Sequence, residues 1–176
     1  MDNVILTKYS QYIKNEISFD EARSSISQVF AEKYIKDAFE KLCSNHDFTF
    51  IEVLFNLASW FEVGEVFLPY YNRLLVESWH FSHEWVLDNI QSYKSPSSID
   101  YIAKAIDSLN VNYLVQHDTD YPSFIRKCMW TLADINTTES IELLRSYLGS
   151  ENPVISQYAN EQLRWLNGEK EMRYMG

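Results

Sequence analysis

The sequence predicts an all-α protein: a right-handed stack of antiparallel helix pairs, an α-solenoid of about ten helices. Three observations predict it. The 176 residues include only four glycines and four prolines, too few for the many turns of an all-β chain. Runs of strict apolar/polar alternation are missing. The last third, WTLADINTTESIELLRSYLGSENPVISQYANEQLRWLN from Trp130 to Asn167, reads as two short amphipathic helices with their punctuation. Such a pair cannot bury its own apolar face and needs a similar pair stacked against it. With 46% hydrophobic and 15% aromatic residues the chain has ample material for a core.

The elements follow in order. The first helix spans about 4–15. The second spans about 19–32, with Ser18 and Glu21 as a capping box. The third spans about 34–44. The fourth, about 50–62, has Thr49 and Glu52 as a second box. The fifth, about 65–77, carries Pro69 in or near its first turn, where the missing N–H costs least. The sixth, about 83–93, is capped by Ser82. The seventh, about 96–108, starts with Ser95 as cap and Pro96 at its first position. The eighth spans about 122–135, again with a proline, Pro122, in its first turn. The ninth begins after Asn136 as N-cap with Glu139 as box partner, and Gly149 takes the left-handed position at its end. The tenth opens on Asn152-Pro153 and closes at Gly168. Ile141, Leu144 and Leu148 share one stripe, and Ile155, Ala159, Leu163 and Leu166 another.

The helices pair off as 34–62, 65–93, 96–135 and 138–167, a spacing of roughly 30 to 40 residues typical of helical repeats. No motif recurs at fixed offsets, so the repeat rests on element spacing. The organisation expected is a single domain over 1–176, with capping helices in 1–46 and helix pairs in 47–176. The stretch Asn110 to Tyr121 exceeds the usual helix–helix connection, and long loops often carry function. The competing reading extends a helix through Tyr113-Leu114-Val115 and ends in a short polar turn.

Charge is the second guide. The net charge of −10 is concentrated in residues 47–120, where eleven acids face only Arg73, Lys94 and Lys104, a net of −8. The flanking segments 1–46 and 121–176 each hold seven acids and six bases. The imbalance serves solubility, or it attracts a basic partner and speeds its capture. Binding to a nucleic-acid backbone is disfavoured on the same ground. No membrane span is expected, since the most apolar run, Val53 to Phe61, is far short of roughly 20 residues. Met1 to Lys14 reads as an amphipathic helix rather than a signal peptide. Cys43 and Cys128 fall inside helices and read as core residues rather than a disulfide. A cytoplasmic protein is expected.

From about Leu75 to Leu166 the chain resembles the HEAT-like repeat family. The segments ESWHFSHEWVLDNIQSYKSPSSIDYIAKAI, IRKCMWTLADINTTESIELLRSYL and ENPVISQYANEQLRWL carry the likeness. It is also similar to small bacterial HEAT-like proteins encoded beside secreted toxins as immunity proteins. The resemblance implies a protein-binding module that neutralises a basic toxin domain, a nuclease among the options, by blocking its active site. The alternative is a regulatory or assembly scaffold for an endogenous protein. HEAT-like proteins that act on nucleic-acid bases carry basic grooves, the opposite of the charge here.

No catalytic constellation stands out. The four glycines are scattered, so there is no phosphate loop, and no nucleophile elbow occurs. His80, His83 and Glu84, with His117 and Asp118, have the donor types of a metal site, but the spacing does not match the zincin helix. Cys128 shares its stripe with Ile125 and Leu132, which favours burial over nucleophilic use. No enzyme activity, cofactor or metal is therefore expected. The candidate partner-binding residues are Glu52, His83, Glu84, Asp88, His117, Asp118, Asp120, Tyr121, Trp130 and Asp134. Trp130 lies off the apolar stripe of the eighth helix, near Arg126, Lys127 and Asp134, and is the leading candidate for an exposed anchor.

Overall fold

A computed structural model describes residues 3–27, 32–47, 50–61, 64–108 and 120–169. Among these the chain is all-helical, with ten α-helices and no strand. It divides into two compact units, Met1–Phe67 and Leu68–Gly176.

In the first unit lie α1 (Asn3–Ile13), α2 (Phe19–Ser27), α3 (Glu32–Asn45) and α4 (Ile51–Trp60), followed by a 3₁₀ turn at Gly64–Phe67. Helix α1 packs on α2, and α3 packs on α4. Ile35, Phe39 and Leu42 recur at helical spacing and are buried, as are Ile51, Leu54, Phe55 and Ala58 opposite them. Phe39 is the hub, its ring 6.0 Å from Phe55 and 5.5 Å from Phe67. Trp60 gathers Tyr12 and Phe19 edge-on at 5.1 Å each, with Tyr9 at 5.5 Å. Ser18 accepts from the Glu21 N–H at 3.2 Å, the expected cap of α2. Thr49 lies outside the described residues, as do residues 28–31, through which α2 was expected to continue. Phe50, immediately before α4, makes no side-chain cap.

The second unit holds α5 (Leu68–Leu75), α6 (His83–Tyr93), α7 (Ile99–Ser108), α8 (Asp120–Ile135), α9 (Thr138–Ser146) and α10 (Pro153–Leu166). Sequential helices pack as pairs: α5 on α6, α7 on α8, α9 on α10. The first helices also touch in series, α5 to α7 and α7 to α9, and so do the second helices, α6 to α8 and α8 to α10. The buried stripe of α8, with Ile125, Cys128, Leu132 and Ala133 at most 1% exposed, forms the centre of the unit. Both cysteines are buried.

Several local expectations need correction. Asn136 does not cap α9. It takes the left-handed conformation, φ 51°, that ends α8. Thr137 is the N-cap instead. Its hydroxyl accepts from the Ser140 N–H at 3.2 Å, and Ser140 Oγ accepts from the Thr137 N–H at 3.0 Å, so serine replaces Glu139 as the reciprocal partner. Asparagine tolerates a positive φ, and the shift by one residue satisfies both helix ends with adjacent residues. Gly149 ends a 3₁₀ turn, Tyr147–Gly149, without a positive φ, whereas Gly168 at φ 75° does close α10. Ser82 precedes α6 but makes no side-chain cap. Ser95 caps a 3₁₀ turn at Pro96–Ser98, with α7 proper starting at Ile99. The 3₁₀ turn Gly64–Phe67 likewise stands where the fifth helix was expected to begin.

The stripes of the last pair are only half buried. Leu144, Ile155 and Ala159 are in the core, joined by Tyr147 and Gln162, while Leu148 is 46% exposed and Ile141, Leu163 and Leu166 are partly exposed. Each stripe is wider than the faces that its neighbours present to it.

Candidate protein-binding face

Helix α6 offers Glu84, Asp88 and Gln91 at spacings of four and three, so the three side chains share a face. Helix α8 offers Ser123, Lys127, Trp130 and Asp134 on the same principle. The two faces meet along their length in matching order. Ser123 Oγ donates to Glu84 Oε2 at 3.4 Å. Lys127 Nζ lies 2.9 Å from both Asp88 carboxylate oxygens and 3.4 Å from Glu84 Oε2. Gln91 donates its amide to Asp134. The two helices therefore run in the same direction, as equivalent helices of successive pairs must.

This seam alters the electrostatic expectation. Glu84, Asp88 and Asp134 are three carboxylates, but Lys127 neutralises part of the field of the first two. With Lys127 counted, the local excess is about two negative charges, below what residues 47–120 suggest as a segment. Glu84 and Asp88 are among the acids of that segment. Their counter-ion comes from beyond it in sequence, a distance of 39 residues.

Trp130 is partly exposed, and the Arg126 guanidinium stands 5.0 Å from its ring centroid, four residues earlier on the helix. The ring is thus pinned on the surface of α8 between a cation and the polar seam. Second helices α6 and α10 also carry partly exposed tryptophans, Trp85 and Trp165.

Tyr121 and Asp120 belong to the first turn of α8, not to the preceding connection. An aspartate there complements the helix dipole. The Tyr121 hydroxyl accepts from the Asn152 amide at 3.0 Å, and the same asparagine caps α10 through its carbonyl oxygen on the Val154 N–H at 3.0 Å. Burial raises the Tyr121 pKa, with the hydrogen bond from Asn152 opposing it. Tyr121 thus ties two helix pairs together. His117 and Asp118 lie outside the described residues. Glu52 is exposed on α4, in the first unit.

His83 cannot meet a partner directly, because it is fully buried. Its Nε2–H donates to the Glu77 carbonyl at 2.7 Å, and the ring stacks 4.1 Å from His80. His80 is equally buried. Its Nε2–H donates to the Leu74 carbonyl at 2.8 Å, and its Nδ1 accepts from the Ser82 N–H at 3.1 Å. The pair thus holds two carbonyls, one in the last turn of α5 and one just beyond it. Burial, then the neighbouring His80, pushes the His83 pKa down to about 3, and burial lowers that of His80. Both rings are neutral at physiological pH. The turn that they brace displays Phe81, 63% exposed.

Sequence reasoning missed Lys127, Gln91, Ser123 and Arg126 as members of this face. The i, i+3 and i, i+4 spacings were present, but only the packing of α6 on α8 shows that the two rows face each other. Compared with protein-family models, with curated proteins and with solved structures, the chain matches none. Among the described residues no helix is long and apolar enough to cross a membrane.

Proposed function

We propose that the chain is a cytoplasmic protein-binding module of HEAT-like type, an immunity protein whose α6–α8 face covers the active site of a basic toxin domain. The observation that carries the reading is Trp130, held on the surface of α8 by Arg126 and bordered by the Glu84–Asp88–Lys127 and Gln91–Asp134 contacts. A partly desolvated tryptophan flanked by ordered polar groups has the make-up of an interface hot spot. The polar contacts hold their side chains in place before binding, which lowers the ordering cost. The acidic segment adds long-range attraction for a basic partner. The charged rim around Trp130 then sets register.

The reading is tested by co-expression of the chain with cationic toxin nuclease domains in bacteria, alongside binding measured by calorimetry. Rescue of growth that is lost with Trp130→Ala, while the variant keeps its melting temperature, supports it. Rescue by no such domain, or rescue indifferent to Trp130→Ala, refutes it.

A further inference from the structure

The last helix pair carries a second surface. Between α9 and α10 runs an open groove of about 640 Å³, lined by four aliphatic residues, among them Leu148 and Leu163, and by six polar ones, among them Arg145, Arg164 and Glu169. Grooves of roughly 300–1,000 Å³ take several side chains. Leu148, in that lining, is 46% exposed.

The charge of the groove runs against that of the chain. Arg164 pairs with Glu169 at 3.1 Å, but Arg145 is exposed and its side chain makes no hydrogen bond or ion pair among the described residues. With Arg145 and Arg164 against Glu169, the groove lining carries a single excess positive charge on a chain of net −10. An occupant must bring aliphatic side chains for the floor and a carboxylate for Arg145.

We propose that this groove docks an acidic amphipathic helix of a partner protein. The aliphatic row of that helix, at i, i+3, i+4 and i+7, covers Leu148 and Leu163, and a carboxylate at its edge pairs with Arg145. The proposal does not rest on the α6–α8 face.

The test uses a fluorescently labelled peptide of about 16 residues, with leucine at that spacing and glutamate elsewhere, and a twin with lysine at every glutamate. A length of this order lets a helix form on the surface. Anisotropy with the full chain is read at 0.15 M salt, where charges beyond about 8 Å are screened. The glutamate peptide should bind at least about tenfold more tightly than the lysine peptide, the ratio that separates a favourable from an unfavourable charge contact. Arg145→Glu and Leu148→Asp should each weaken it by about tenfold with unchanged melting, since both side chains are exposed. Trp130→Ala should leave it intact. The proposal is overturned by equal affinity for the two peptides, by no binding of the glutamate peptide, or by loss through Trp130→Ala alone. It is also overturned if sedimentation shows a dimer that Arg145→Glu dissolves, since the occupant is then a second copy.

Discussion

At the scale of single residues, the buried histidines have the clearest consequence. His83 has a folded-state pKa near 3 against an ordinary value of 6.5, and it is fully buried. The unfolded chain therefore binds a proton that the folded chain refuses. The stabilisation is fully present above about pH 6.5 and is lost as the pH falls toward 3, by up to about 1.4 kcal/mol per pH unit. His80, shifted the same way, adds to it. Nuclear magnetic resonance of the ring protons should show His83 still neutral at pH 5, with urea midpoints falling between pH 7 and pH 5. A ring that titrates near 6.5 contradicts this. Ser98 presents the opposite case. It is fully buried and its hydroxyl lacks a hydrogen-bond partner, so Ser98→Ala should change stability by less than about 0.5 kcal/mol or raise it. Ala159→Asp, at a fully buried position of α10, should cost several kcal/mol. Leu163→Asp should cost clearly less, because Leu163 opens on the groove. Thermal melts of the three variants rank them.

At the scale of elements, the junction between α8 and α9 concentrates its punctuation in two residues. Asn136 holds the left-handed conformation and Thr137 the cap. Thr137→Ala should cost about 1 kcal/mol through the lost capping box. Asn136→Ala should also destabilise, because a Cβ-bearing residue without a compensating polar side chain is strained at positive φ, whereas Asn136→Gly should be neutral or better. Glu139→Ala should do little, since Ser140 supplies the reciprocal contact. Chemical denaturation of the four variants decides the assignment, and a large loss on Glu139→Ala overturns it. The misreading has a simple origin. Both Asn136 and Thr137 are good capping residues, and the local string does not reveal which one the chain needs to leave α8 at the right angle.

At the scale of the whole molecule, the question is how a net charge of −10 acts on a partner. The Debye length shrinks from about 30 Å at 0.01 M salt to about 8 Å at 0.15 M, so capture of a basic partner should slow steeply over that range. Lys127→Ala should raise the association rate at low salt, since it frees Glu84 and Asp88 from their shared cation. Stopped-flow rates that ignore both salt and Lys127 point instead to a solubility charge. The periodicity of short apolar stripes and the caps at Ser18, Ser95 and Asn152 were enough to determine an all-α chain and place its ten helices, because capping and 3.6-residue periodicity are local properties. Which stripe ends up covered was not local. Ile155 and Ala159 are buried while Leu163 and Leu148 line an open groove, although all four read alike in sequence. The same holds for charge. Glu84 and Asp88 belong to an acidic run, yet their counter-ion lies 39 residues on and reaches them only because α6 packs against α8. Burial and ion pairing depend on which faces meet, and only the tertiary packing decides that.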